Sequence, residues 1–185
     1  MNKFFVTVFV LVILQRLIEL VIARSNATYL RRLGGYEVDA GHYKYIVSLH
    51  VAFLGGLFLE VSFLRPPQPS WWGLSFSLFI VAQGMRIWCL ASLGRFWNTR
   101  IFVLPGAKPV KKGPYRFLRH PNYLVVISEI LLLPLSFGAY YTAVFATIFN
   151  AIILRRRIKA EEDALAQVTV YDRDMEKVPR LMPKI

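Results

Sequence analysis

The stretch that decides how this chain is organised runs from residue 113 to residue 123. It reads Gly113-Pro114-Tyr115-Arg116-Phe117-Leu118-Arg119-His120-Pro121-Asn122-Tyr123. Cations, an imidazole and two tyrosines stand here directly before an apolar run that begins at Leu124. Ionisable groups at the entrance of a hydrophobic span are typical of a functional site. The stretch therefore predicts a binding site for a polar ligand at a membrane surface.

The composition of the chain points to a membrane protein. Of 185 residues, 56% are hydrophobic and 15% are aromatic, which is more apolar material than one soluble core of this size buries. The net charge of +12 comes from cations that concentrate between the apolar runs. That distribution favours cytoplasmic loops facing anionic lipid over nucleic-acid binding. Cys89 is the single cysteine, so no intrachain disulfide can form, and we expect no metal site.

Five apolar runs predict the membrane-embedded helices. A helix needs about 20 apolar residues to cross the hydrocarbon layer. The runs lie near residues 3–23, 43–64, 71–93, 121–137 and 139–158. The last two are joined by the tight turn Ser136-Phe137-Gly138-Ala139, so they are expected to form a short helical hairpin. The predicted fold is an all-α integral membrane protein with about five transmembrane helices.

The basic residues between these runs predict the orientation. Most of them fall in residues 24–42, 94–120 and 155–185. By the positive-inside rule these stretches lie in the cytoplasm and the amino terminus lies outside, in the plasma membrane if the protein is bacterial. We expect residues 1–93 to form three transmembrane helices. Residues 94–185 would then form a cytoplasmic loop, the hairpin and a carboxy-terminal helix, which together cap a cofactor site.

Several polar residues fall inside the predicted spans, toward the cytoplasmic half. They are Arg16, Glu19, His50, Gln83, Arg86 and Glu129. An isolated charge in lipid costs several kcal/mol, so these groups must face one another or a wet cavity. Two interpretations stay open: a structural network in which Arg16 or Arg86 neutralises Glu129, and a cavity in which Glu129 takes part in chemistry. Glu60 and Trp97 are expected at the membrane interface, Trp97 in an aromatic belt.

Three ordered blocks resemble the isoprenylcysteine carboxyl methyltransferase family. They are Gly113-Pro114-Tyr115, Arg119-His120-Pro121-Asn122-Tyr123, and Arg157 followed by Glu161-Glu162 and Leu165. The resemblance covers roughly residues 94–180, and the amino-terminal half resembles the shorter bacterial members, some of which are similar to alkylpyrone O-methyltransferases. It implies an integral membrane enzyme that transfers a methyl group from S-adenosylmethionine to an oxygen of a lipophilic acceptor.

The resemblance also implies roles for individual residues. The implied cofactor-binding residues are Arg100, Lys108, Pro109, Val110, Tyr115, His120, Pro121, Asn122, Tyr123 and Glu161, with Arg100 standing where larger members carry glutamine. Arg157 matches the family's substrate-contacting arginine and would orient an acceptor carboxylate. A hydroxyl acceptor must lose a proton, and His120 or Glu129 could take it.

Two acceptor classes and two other functions remain open at the level of sequence. The acceptor could be a prenylated cysteine carboxylate or a polyketide-derived lipid such as an alkylpyrone. The other functions are an NADPH-dependent membrane reductase of the sterol type, whose carboxy-terminal half is similar, and a non-catalytic membrane scaffold. Substitution of Arg157 or Glu161 would distinguish an enzyme from a scaffold, which should tolerate both changes. Cofactor binding would distinguish the methyltransferase from the reductase.

Overall fold

Long helices dominate the computed structural model, which describes residues 3–168, 175 and 178–181. They are α1 (Lys3–Arg32), α2 (Ala40–Leu59), α3 (Trp72–Leu93), α4 (Pro121–Ser136) and α5 (Tyr140–Val168). Four of the predicted apolar runs match one of these helices to within one residue or lie inside it, and the run 43–64 covers α2 together with the helical turn Glu60–Leu64. Only α1 and α5 extend well beyond their runs, because the polar residues that follow each run continue the same helix.

Three of the helical segments are long and apolar enough to cross a membrane: Lys3–Arg32, Ala40–Leu64 and Trp72–Phe96. Only 22%, 22% and 28% of their most apolar windows are buried inside the protein. Large apolar side chains such as Leu17 and Ile87 therefore point outward, as they do in helices that face lipid. The chain is a membrane protein. With 16 residues α4 is a shorter apolar helix, so the count of five spans stays a prediction.

Local sequence explains where these helices begin and end. α2 continues through a π-helical turn, Glu60–Leu64, and stops at Arg65 because two prolines follow. α3 ends where Gly94 takes a positive φ of 52°. α4 begins with Pro121 in its first turn, where the missing N–H of proline costs nothing.

The start of α5 is held by a residue of the preceding helical segment. Both carboxylate oxygens of Glu60 accept hydrogen bonds from the backbone N–H groups of Tyr141 and Thr142, at 3.1 and 2.7 Å. These N–H groups have no partner inside their own helix, so an acidic side chain there acts as a cap. Glu60 is only 8% exposed, so its side chain points into the protein, and its depth at the membrane interface stays a prediction.

One apolar core fills the end of the helix bundle where α4 connects to α5. All five helices or their connections contribute to it, through Phe5, Val8, Val12, Leu49, Phe53, Leu57, Phe79, Ile130, Leu133, Phe137, Ala139 and Ala146. The Phe5 and Phe137 rings meet edge to face, with centroids 5.0 Å apart. The opposite end of the bundle holds fewer apolar side chains and more of the charged residues, and the candidate site lies there.

A small antiparallel sheet joins two connections at that opposite end. Strand β1 (Tyr36–Val38) follows α1, and strand β2 (Ile101–Val103) lies in the long loop after α3. Tyr36 pairs with Val103, and Val38 with Ile101. The sheet packs on the carboxy-terminal half of α5 through Ala164. The all-α expectation is therefore corrected by two short strands, which pair because the helices bring two distant loops together.

Candidate active site

A polar cavity of about 90 Å³ lies between the loop after α3, the start of α4 and the polar half of α5. The residues around it include many that sequence analysis assigned to the site. Its lining residues are Leu93, Phe96, Trp97, Asn98, Arg100, Phe102, Tyr115, Arg119, His120, Asn122, Tyr123, Arg157 and Glu161. Three separate parts of the chain thus converge on one small space.

Tyr123 connects α4 to α5 in this cavity. Its hydroxyl donates a short hydrogen bond to a carboxylate oxygen of Glu161 and accepts one from Nε of Arg157 at 2.9 Å. Arg157 also donates from Nη2 to the backbone oxygen of Thr99, 2.7 Å away. One face of α5 presents both Arg157 and Glu161 because residues four positions apart lie one above the other on a helix. The three side chains therefore hold one another in fixed orientations.

His120 is positioned by the second glutamate of the pair. Its Nε2 lies 3.1 Å from Oε1 of Glu162, and its ring stacks on Tyr123 with centroids 5.2 Å apart. Arg180 pairs with the other carboxylate oxygen of Glu162 at 2.6 Å. Burial by itself would raise the pKa of Glu162, but the hydrogen bonds from His120 and Arg180 outweigh it and lower the pKa to about 2. Glu162 is thus an ionised anchor for His120.

A short tail segment lies along the entrance of α4. The backbone oxygens of Pro179 and Arg180 accept hydrogen bonds from the N–H groups of Arg119 and His120, at 2.8 and 3.0 Å. Nε of Arg119 also donates to the backbone oxygen of Val178 at 2.6 Å. The carboxy-terminal segment thus helps to fix the Arg-His pair. The long sequence separation of these partners hid the contact from sequence analysis.

Tyr115 closes the cavity on the α3 side. It is 7% exposed and packs with Cys89 and Val125. Burial raises the pKa of its phenol, and the neighbouring Cys89 and Glu161 raise it further. Tyr115 therefore stays neutral at physiological pH and can serve as a hydrogen-bond donor.

Two buried polar atoms at the cavity have no hydrogen-bond partner among the described residues: Nε1 of Trp97 and Oδ1 of Asn122. Trp97 is only 3% exposed, so the prediction that it sits in an aromatic belt is wrong. A buried polar group without a partner costs free energy, so a group of this kind normally has a partner. One donor and one acceptor are thus left for a bound molecule.

A second cavity, of about 250 Å³, adjoins the first and extends deeper between α1, α2, α4 and α5. Its wall is mostly apolar, with residues such as Ile46, Val126 and Leu154. Both cavities are lined by Trp97, Asn98, Asn122, Tyr123 and Arg157. Arg157 therefore stands where a polar space meets an apolar one.

Comparison with known proteins identifies the family of this chain. Residues 74–167, about half of the chain, match the model of the isoprenylcysteine carboxyl methyltransferase (ICMT) family. The chain belongs to the ICMT family. It is also similar to the uncharacterized protein YpbQ of Bacillus subtilis, with 43% identity over 86% of this chain and 95% of the relative. An uncharacterized protein of Haemophilus influenzae is 29% identical over 64% of this chain and 70% of its own length. No solved structure matches significantly.

Family membership gives the two cavities a chemical context. The ICMT family consists of membrane methyltransferases whose members generally use S-adenosylmethionine. The chain is accordingly a membrane protein of a methyltransferase family. The region that matches the family includes the two sequence blocks that begin at Arg119 and at Arg157, and both arginines line the polar cavity.

The structure gathers most of the residues that the ICMT resemblance implied, but not all. Lys108, Pro109 and Val110 belong to the described residues and are not among those that line either of the two cavities. Pro121 is fully buried in the first turn of α4. The roles of all the implied site residues, those that line the cavities included, stay predictions.

Glu129 lies deeper, in a network that joins three helices of this ICMT-family protein. Its carboxylate accepts hydrogen bonds from Arg16 of α1 at 2.7 Å, from Nε of Arg86 of α3 at 2.8 Å, and from Gln83 at 2.7 Å. Both arginines also pair with Glu19, at 2.7 and 3.2 Å. Arg16, Glu19 and Arg86 line the floor of the apolar cavity. Arg16 and Arg86 thus neutralise Glu129, as the interpretation of a structural network predicted. A cavity also lies beside this network, as the interpretation of a chemical role for Glu129 required.

Proposed function

We propose that this protein is an integral membrane, S-adenosylmethionine-dependent O-methyltransferase that acts on a lipophilic acceptor. The acceptor is an isoprenylcysteine-type carboxylate or an alkylpyrone-like lipid hydroxyl. The active site faces the cytoplasm, and the acceptor's tail enters from the bilayer. The observation that carries this proposal is the junction of a polar and an apolar cavity at Arg157 and Tyr123.

The polar cavity suits the cofactor. The Glu161 carboxylate can accept hydrogen bonds from ribose hydroxyls or from an adenine amino group, and the cations Arg100 and Arg119 suit a carboxylate. The unpartnered atoms of Trp97 and Asn122 offer one further donor and one acceptor. When bound, S-adenosylmethionine supplies a methyl group activated by a positively charged sulfur. The residues Lys108 to Val110, Tyr115, His120 and Pro121 complete the proposed binding site.

Arg157 orients the acceptor in this proposal. Its Nε and Nη2 are engaged by Tyr123 and Thr99, while Nη1 forms no hydrogen bond with the residues that the structure describes. Nη1 can therefore donate a hydrogen bond to an oxygen of the methyl acceptor, while Tyr123 and Thr99 hold the rest of the side chain in place. Methyl transfer depends on alignment of donor and acceptor, so a rigid positioning group supplies much of the acceleration.

Proton removal depends on the acceptor. A carboxylate is already ionised and needs no base. For a hydroxyl acceptor we assign the base to His120, because Glu129 is held by two arginines and lines neither the polar nor the apolar cavity. Glu162 would then stabilise the imidazolium that forms.

Calorimetry of the purified protein in detergent tests the cofactor site. Wild-type protein should bind S-adenosylhomocysteine, while Glu161→Gln and Tyr123→Phe should weaken binding by at least about tenfold, because each removes a hydrogen bond to or from a charged group. Asp163→Asn makes the same acid-to-amide change at an exposed position of α5 and should bind like wild type. Absence of binding to folded wild-type protein would overturn the proposal, and binding of NADPH instead would favour the reductase.

A further inference from the structure

We propose that Glu37 and Tyr43 are positioning residues that hold Arg100 ready to bind the carboxylate of the cofactor. Glu37 lies in β1 and Tyr43 in the first turn of α2, so both belong to the amino-terminal half, outside residues 74–167 that match the ICMT family. Neither residue lines the polar cavity, whereas Arg100 does. The inference rests on the proposed function and names residues that act on its cofactor site through Arg100.

Arg100 needs partners because much of its side chain is exposed. The exposed fraction is 40%, and a long side chain in contact with solvent loses rotamer freedom when it binds a ligand. Binding is therefore tighter where the protein has already fixed the side chain. Arg100 lies directly before β2, so the two-stranded sheet fixes its backbone, but its guanidinium group needs contacts of its own.

Glu37 holds one end of the guanidinium group. Its Oε1 accepts a hydrogen bond from Nη1 of Arg100 at 2.6 Å. The register of the sheet brings the two residues together, because Glu37 pairs with Phe102, two positions after Arg100. Arg31 pairs with the other carboxylate oxygen of Glu37 at 3.3 Å. These two cations and one anion keep a net positive charge, so Glu37 orients Arg100 without cancelling its attraction for an anion.

Tyr43 supports the flat face of the same group. Cζ of Arg100 lies 4.3 Å from the centroid of the Tyr43 ring, which is within the range of a cation–π contact. The hydroxyl of Tyr43 lies 3.3 Å from Oγ1 of Thr99, whose backbone oxygen accepts the hydrogen bond from Arg157. Glu37 thus holds the guanidinium group at its end, and Tyr43 holds it from its face.

The edge of Arg100 that these contacts leave open suits a carboxylate. Its Nε and Nη2 form no hydrogen bond with the residues that the structure describes. These two donors lie on one edge of the guanidinium group and match the two oxygens of a carboxylate. The methionine carboxylate is the only anionic group of S-adenosylmethionine. It is therefore the group that we assign to this edge.

A matched pair of ligands tests the inference: S-adenosylhomocysteine and its decarboxylated analogue, which lacks only the carboxylate. Calorimetry on the full-length protein in detergent measures both affinities, and their ratio is the carboxylate preference. Wild-type protein should prefer S-adenosylhomocysteine at least about tenfold, and Arg100→Leu should abolish this preference, because a two-donor charged contact is lost. Glu37→Gln should reduce the preference at least about threefold, since a neutral amide holds Arg100 more weakly.

Two matched variants serve as controls. Asp39→Asn removes a negative charge from the same connection, but Asp39 forms no ion pair with Arg100 in the part of the chain that the structure describes. It should keep or slightly raise the preference, because the loss of a negative charge favours an anionic ligand. Tyr43→Leu should reduce the preference as Glu37→Gln does, whereas Tyr43→Phe keeps the ring under Arg100 and should restore it.

The ratio of affinities separates a positioning role from a structural one. A variant with a weakened fold loses affinity for both ligands alike and keeps the ratio. Equal affinities in wild-type protein, a preference retained by Arg100→Leu, or an unchanged or raised preference in either Glu37→Gln or Tyr43→Leu would overturn the inference and leave the proposed methyltransferase standing. Failure of folded wild-type protein to bind either ligand would instead overturn the proposed function.

Discussion

At the scale of single residues, the adjacent glutamates of α5 have different surroundings. Glu161 lines the polar cavity, with 29% of its side chain exposed, and meets Tyr123. Glu162 is 7% exposed and is held by His120 and Arg180. A helix turns by about 100° per residue, so neighbours in sequence face different partners. The resemblance pointed to Glu161, and the structure adds Glu162 as the residue that positions His120.

This environment predicts a pH dependence of stability. The pKa of Glu162 is about 2 in the folded protein, below the ordinary value of 4.5. A lowered pKa means that the stabilisation is complete above about pH 4.5, declines as the pH falls toward 2, and is lost below it. Between pH 5 and pH 3, the melting temperature in detergent should therefore fall more steeply for wild type than for Glu162→Gln. The exposed neighbour variant Asp163→Asn should follow wild type, and parallel curves for all three would contradict the prediction.

At the scale of structural elements, one glycine fits the loop before α4 against α3. Gly113 opens the short 3₁₀ turn that carries Tyr115, and its φ is +52°. A Cβ atom there would lie 2.8 Å from Nε1 of Trp88 and would collide with Ser92, whose hydroxyl is held by the backbone oxygen of Trp88. Both the backbone conformation and the close approach thus require glycine.

Gly113→Ala should therefore displace the turn and with it Tyr115. We expect at least about tenfold weaker binding of S-adenosylhomocysteine, since strain alone costs about 1–2 kcal/mol and the clash adds to it. Gly106→Ala is a matched control, because Gly106 also has a positive φ, of +73°, but has open space around it. Calorimetry on both variants measures the difference. Equal losses would show that only the φ angle, and not the contact with α3, matters.

At the scale of the whole molecule, the ionic network fixes three helices at the depth of the apolar cavity. Glu129 of α4 meets Arg16 of α1 and Arg86 of α3, and all three are at least partly buried. Removing one partner of a buried pair leaves an uncompensated charge, which costs about 3–5 kcal/mol. The network therefore links α1, α3 and α4 to one another at the depth of the cavity.

Glu129→Gln should lower stability by about 3 kcal/mol, because two arginines would then face a single carboxylate, that of Glu19. Thermal unfolding in detergent measures this loss, and Ser128→Ala, at the adjacent position, should change stability much less. The folded variant should bind S-adenosylhomocysteine like wild type, since Glu129 does not line the polar cavity. A variant of normal stability with reduced turnover would contradict this and would support a chemical role for Glu129.

The sequence by itself determined the membrane class, the approximate helix ranges and most of the polar cavity. Apolar runs predict membrane-spanning helices because a helix that crosses the bilayer must be about 20 residues long and mostly apolar. Arg157 and Glu161 could be placed on one face because helical spacing is local. The ordered blocks around His120 and Glu161 carried the family resemblance, and the family match confirms it.

Only the tertiary structure decided which distant groups meet. The pairing of Arg16 with Glu129 joins residues 113 positions apart, and that of Tyr123 with Glu161 joins residues 38 positions apart. The burial of Trp97 and the presence of His50 and Asn150 in the wall of one cavity likewise depend on how helices pack. The local sequence pattern determines which face of a helix is polar. Which helices that face contacts, and how deep in the bundle it lies, depend on the packing of all the helices.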